Sequence, residues 1–129
     1  MLSRKPIILV AEDNEDVREM LVEFLRMKGY HVIEAADGRY VVDLARTALP
    51  DLILLDLAMP FVDGWQATAS LKAEGTTRHI PVVAVSSNCT NPALKQKALQ
   101  AGCEDCLGKP VDFDRLSKTL AGFLYRSAA

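Results

Sequence analysis

The sequence holds 129 residues, half of them hydrophobic and a quarter charged, and its 15 Lys and Arg against 17 Asp and Glu leave a net charge of −2. That length and balance fit one packed domain, and they exclude both a disordered chain and the dense cationic surface that tracks a nucleic acid. No apolar stretch approaches the roughly 20 residues of a membrane helix, and no charged-then-apolar signal segment opens the chain, which points to a cytoplasmic protein outside the membrane.

Five short apolar runs alternate with helical patterns. The runs Ile7 to Ala11, His31 to Ala35, Leu52 to Leu55, Val82 to Val85 and Cys106 to Gly108 read as strands. Three of them are apolar almost throughout, as expected of a parallel sheet covered on both faces. After the first run, Val17, Met20, Leu21, Phe24 and Leu25 recur at helical spacing, with Asn14 to cap the start and Gly29 to end it. Weaker helical patterns follow over 38–49 and 64–74. Asn91-Pro92 opens a fourth helix that Gly102 closes, and Asp112 caps a fifth whose Phe113, Leu116, Leu120, Phe123 and Leu124 share one face. Five βα units in series predict a doubly wound α/β domain with right-handed crossovers. One domain over residues 1–129 is expected, with a core from about 6 to 125 and a loose end at 126–129.

Three cysteines, an odd number, predict no closed disulfide framework and suit a reducing compartment. Cys103 and Cys106 have the C-x-x-C spacing of redox motifs, but they lead into a strand. Residues three apart on a strand are about 10 Å apart and face opposite ways, so a structural reading of that motif is preferred. His31 and His79 alone make no His-rich zinc site.

In an open parallel sheet the ligand site lies beyond the carboxyl ends of the strands. The first run is followed there by Glu12-Asp13, the third by Asp56, the fourth by Ser86-Ser87-Asn88 and the fifth by Lys109-Pro110. Each residue alone is an ordinary strand end or helix start. Together, three acids in one crevice repel one another unless a cation offsets them. Carboxylates without His or Cys select a hard ion, and Mg²⁺, octahedral at about 2.0 to 2.1 Å, favours sites completed by phosphate.

These residues resemble the receiver domain of bacterial two-component response regulators from about Pro6 to Tyr125. The match runs through Val10-Ala11-Glu12-Asp13, Leu55-Asp56-Leu57-Ala58-Met59-Pro60 with Asp63-Gly64, Pro81 to Ser86, and Gly108-Lys109-Pro110. The resemblance implies a flavodoxin-like fold with strand order 2-1-3-4-5. It implies that Asp56 accepts a phosphoryl group from a phosphohistidine on a sensor histidine kinase or histidine phosphotransfer protein, so that the chain is a phosphoacceptor rather than an enzyme acting on other molecules. Asp13, Asp56 and the Ala58 backbone carbonyl would hold Mg²⁺, for which Mn²⁺ would substitute, with Glu12 acting directly or through water. Lys109 and Ser86 would grip the phosphoryl oxygens, Ser86 would start the switch, and the peptide bond to Pro110 would be cis.

The sequence also departs from the family pattern. Glu12-Asp13 stands where Asp-Asp is usual, and Cys106 occupies the position of the usual switch aromatic. Ala58 and Asn88 fill the two positions that tune hydrolysis of the acyl phosphate, and the Ala58 side chain offers no hydrogen bond to an attacking water, which favours a longer-lived phosphoryl group. A haloacid dehalogenase also uses an Asp nucleophile with Mg²⁺ but needs a second Asp two positions on, where this chain has Ala58. An interaction domain that keeps the fold without the chemistry is the other alternative. Trp65 reads as a packing residue. A stand-alone receiver is expected, although a piece of a DNA-binding regulator or hybrid kinase has the same sequence features. By resemblance its output surface is the face of the fourth helix, fifth strand and fifth helix, with Lys95, Lys97 and Lys118 as exposed candidates.

Overall fold

In the computed structural model, residues 4–59 and 61–125 are described. Pro60 of the third-strand motif and the expected loose end at 126–129 lie outside them. Five strands, β1 (Ile7–Ala11), β2 (His31–Ala35), β3 (Leu52–Asp56), β4 (Val82–Ser86) and β5 (Asp105–Gly108), alternate with α1 (Glu15–Met27), α2 (Val41–Ala48), α3 (Gly64–Ala73), α4 (Pro92–Ala101) and α5 (Phe113–Leu124). All strand pairs are parallel, in the order β2-β1-β3-β4-β5.

The interior divides into two apolar layers, one on each face of the sheet. Ile8, Val10, Leu52, Leu54, Val83, Val85 and Leu107 point to one face and pack with Leu21, Val22 and Leu25 of α1 and with Leu116 and Leu120 of α5. The alternate strand residues, among them Leu9, Ile53, Leu55, Val82, Ala84 and Cys106, pack with Val41 and Ala45 of α2, Ala67 and Leu71 of α3 and Ala98 of α4. Because β3 is covered on both sides, all five of its residues are buried. Each fully buried Leu or Ile contributes about 1.5 to 3 kcal/mol of transfer free energy. The outer strand β2 is exposed at His31 and Glu34.

Helix starts follow the cap chemistry in the sequence. Asn14 accepts from the Val17 N–H, Asn91 from Ala93 and Leu94, and Asp112 from Asp114 and Arg115. Gly102 ends α4 in the left-handed region at φ +113°. The second helix starts at Val41, later than the sequence pattern from Gly38 suggested. Asp37 accepts from the Arg39 N–H and pairs with its guanidinium, holding the preceding residues in a turn. Arg39 also stacks on Phe61 at 3.8 Å, clasping the loops after β2 and β3 together beside the carboxyl edge of the sheet.

Strand register sets the positions that matter most. Ala11 pairs with Leu55, Asp56 with Val85, and Ser86 with Gly108. Glu12, Asp56, Ser86 and Lys109 therefore leave or end four neighbouring strands at one level.

Candidate functional site

Asp56 is the last residue of β3 and only 4% exposed. Its Oδ1 accepts the Ala58 N–H at 3.0 Å, and its Oδ2 accepts from the Lys109 ammonium at 2.9 Å. Glu12, just past β1, is 1% exposed. Its Oε2 accepts the Asn14 N–H at 3.1 Å, while Oε1 lies 2.8 Å from Lys109 Nζ as an ion pair outside hydrogen-bond geometry. Arg18 of α1 donates to the Glu12 backbone carbonyl at 2.9 Å and fixes that loop from behind. Asp13 is exposed at the mouth, and one carboxylate oxygen from each of Glu12, Asp13 and Asp56 lies within 4.8 Å of the others.

The electrostatics separate the two buried acids. Burial pushes the Glu12 carboxyl up to about 7, and the neighbouring Asp56 adds to the rise against the opposing pull of Lys109 and the Asn14 N–H. Burial also works to raise Asp56, but the Ala58 N–H and the Lys109 ammonium outweigh it and hold the carboxyl below its ordinary value. For Lys109, burial favours the neutral amine, yet Glu12 and Asp56 hold its pKa above the usual value. At neutral pH the pocket thus holds an ionised Asp56, a charged Lys109 and a Glu12 near its midpoint.

A hard divalent cation fits this donor set. Its donors are carboxylate oxygens, with no Cys or His among them, and among the described residues the buried Glu12 Oε1 has only the Lys109 ammonium, 2.8 Å away, to offset its charge. Ser86 ends β4, and its Oγ accepts the Asn88 N–H at 3.2 Å. Ala58 and Asn88 are both exposed at the rim, and the Lys109–Pro110 peptide is cis.

Cys106 is placed differently from its fellow candidates. It lies beneath the site in the α2–α3–α4 layer, joined to Cys89 in a disulfide with Cα atoms 5.6 Å apart. Two of the three cysteines pair and Cys103 is left as a buried thiol, so the odd count does leave the set unclosed, but the bridge itself was not anticipated from the sequence. Cys106 therefore pairs outside its C-x-x-C motif. Sequence reasoning missed Cys89 because its position depends on the turn after β4, where the Cys89 N–H bonds the Ser86 carbonyl at 3.4 Å and carries the chain back over the sheet. It likewise took Asn14 only as a helix cap and passed over Arg18.

A family model for the response regulator receiver domain matches residues 8–121. The chain belongs to that family. This receiver is 34% identical over 117 residues to the polar-differentiation response regulator DivK of Brucella anthropi, a match covering 91% of this chain and 94% of the relative. Among solved structures it is similar to the Vibrio cholerae chemotaxis protein CheY4, with TM-score 0.87 and 29% identity over 93% of this chain and 99% of that one. It is also similar to the receiver domain of the sensor histidine kinase PA1611 from Pseudomonas aeruginosa, with TM-score 0.85 and 32% identity over 93% and 98% of the two chains. The latter structure has a magnesium ion coordinated in its active-site cleft. Family membership places this receiver in two-component signalling and sets aside the haloacid dehalogenase reading.

Proposed function

We propose that this receiver takes a phosphoryl group onto Asp56 from a phosphohistidine on a sensor histidine kinase or histidine phosphotransfer protein, and passes the signal on by a conformational change. The observation that carries the reading is the state of Asp56: a strand-end carboxylate, buried, held ionised, and flanked by a cation and two further acids.

An Asp56 oxygen attacks phosphorus in line with the donor histidine nitrogen. The oxygen–phosphorus bond forms as the phosphorus–nitrogen bond breaks, and the electron pair of the broken bond stays on the imidazole. Lys109, already beside Asp56, follows the new charge and pairs with a phosphoryl oxygen. Ser86 exchanges its Asn88 contact for a hydrogen bond donated to another phosphoryl oxygen, drawing the loop after β4 with it. Asp13, Asp56 and the Ala58 carbonyl, with Glu12 directly or through water, are the residues that would hold Mg²⁺, or Mn²⁺ in its place. When bound, the ion offsets negative charge on the transferring group.

The downstream partner is a protein that reads the face of α4, β5 and α5, with no direct nucleic-acid contact. On that face Lys97 and Lys118 are exposed, and Lys97 lies 4.9 Å over the Trp65 ring. Lys95, expected to be exposed, is half-buried and reaches toward Asp105 at 4.0 Å. Among the described residues no helix is long and apolar enough to cross a membrane, and a cytoplasmic location fits a kinase-fed receiver.

Incubation with acetyl phosphate, with Mg²⁺ or with EDTA, followed by intact mass, tests the reading. One phosphoryl increment that needs Mg²⁺ is expected. No increment under either condition would leave an interaction domain that keeps the fold without the chemistry.

A further inference from the structure

Cys89 and Cys106 are 6% and 2% exposed and lie within the Cα span that a disulfide requires. Their bond ties the loop after β4 to the middle of β5, a strand that pairs directly with β4 through Ala84 and Cys106. Ser86 stands three residues before Cys89 in the same turn. The Cys89 N–H reaches the Ser86 carbonyl, and the Asn88 N–H reaches the Ser86 hydroxyl. The hydroxyl that must advance on a phosphoryl group and the sulfur that anchors the loop thus share one four-residue turn.

We propose that Cys89 and Cys106 form a reversible dithiol–disulfide modification site that sets whether this receiver completes its switch, an inference that rests on Asp56 being the phosphoacceptor. In the disulfide form the loop is fastened to β5, and Ser86 stays in its local turn. In the dithiol form Cys89 is free to travel with Ser86 toward Asp56. The switch then has two inputs, a phosphoryl group and the thiol redox state, which bias the same loop. A bond that disfavours the advanced loop must, by linkage, disfavour phosphorylation.

The oxidant is a low-molecular-weight disulfide such as glutathione disulfide. Cys89, on the loop and the less buried of the two, loses its thiol proton, and its sulfur attacks one glutathione sulfur. That S–S bond breaks, and the departing glutathione thiolate takes up the proton. The Cys106 thiol then loses its proton, its sulfur attacks the Cys89 sulfur of the mixed disulfide, and the second glutathione leaves as a thiol. Two electrons pass from the protein sulfurs to the oxidant, and a dithiol reductant reverses the exchange. The Cys103 sulfur lies 3.8 Å from the Thr68 hydroxyl and takes no part in the exchange.

The test compares protein equilibrated with glutathione disulfide and protein reduced with dithiothreitol. Thiols are counted by alkylation after unfolding, and acetyl phosphate labelling with Mg²⁺ is followed by intact mass to its steady level at limiting donor. The oxidised wild type is expected to show one alkylatable thiol and to reach a ratio of phosphorylated to unphosphorylated protein at least about fivefold below that of the reduced form. Cys103→Ala should keep that redox dependence, whereas Cys89→Ala and Cys106→Ala should each abolish it, and circular dichroism checks that the variants are folded. Three free thiols after glutathione disulfide treatment, or equal labelling of the two wild-type forms, would overturn the proposal. No labelling of either form would instead overturn the phosphoacceptor reading beneath it, with the thiol count still reporting whether the bond forms.

Discussion

The Lys109 ammonium stands 2.9 Å from Asp56 Oδ2 and joins the end of β5 to the end of β3, 53 residues apart in sequence. The same nitrogen lies 2.8 Å from Glu12, so one cation serves two buried acids.

Removing that cation leaves the acids facing each other without compensation. Lys109→Met is therefore expected to lower stability by about 2 kcal/mol in the metal-free protein at a pH well above 7, where Glu12 is ionised, read from urea denaturation. Asp56→Asn in the same background should restore most of the loss, because it removes one of the two opposed charges. Failure of the second change to rescue the first would show that the pair is not the source.

The raised Glu12 carboxyl predicts a pH-dependent metal site. Its folded pKa of about 7 lies above the ordinary glutamate value, so in metal-free protein its contribution to stability is full below that ordinary value and is lost as pH rises through 7. Metal binding needs the ionised form and releases its proton. Mg²⁺ affinity should therefore fall with pH below 7, by up to about tenfold per unit. Titration calorimetry in two buffers of different ionisation enthalpy would read the released proton, and Glu12→Gln should abolish the release near neutrality.

Gly64 starts α3 against the strand that carries Asp56. A Cβ there would sit 2.6 Å from the Asp56 carbonyl oxygen and 2.6 Å from the Leu57 Cα, both backbone atoms with little room to move. Gly64→Ala is expected to cost about 2 kcal/mol in denaturation and to slow acetyl phosphate labelling by displacing the end of β3. Unchanged stability would contradict the packing described.

Ala58 is exposed beside Asp56, and its own N–H is engaged with the carboxylate. An Asn side chain at this position would supply the hydrogen bond to an attacking water that alanine lacks. Ala58→Asn should shorten the half-life of the phosphorylated protein several-fold, measured by mass after removing the donor, and an unchanged half-life would sink the idea.

The sheet was legible because its signal is local. β1 and β2 coincide with their apolar runs, and β3 and β4 each extend one residue further, to Asp56 and Ser86, both already marked as candidates by their position after a run. The strand order was not in the pattern, because five parallel strands can be threaded in several ways, and it came only from family resemblance. Glu12, Asp13, Asp56 and Lys109 converge because strand register brings the ends of β1, β3 and β5 level. What the sequence hid depends on side chains that meet through turns: Asp37 delaying α2, Arg39 stacking on Phe61, and Cys89 folding back onto Cys106 across 17 residues.

The most direct test is to locate the phosphoryl group chemically. Protein labelled with acetyl phosphate and Mg²⁺ is treated with borohydride, which reduces an aspartyl phosphate to homoserine, and the digest is sequenced by mass spectrometry. Homoserine at position 56 alone, and none in Asp56→Asn, is the predicted result. Homoserine at another acid, or labelling that persists undiminished in Asp56→Asn, would contradict the assignment of Asp56 as the nucleophile.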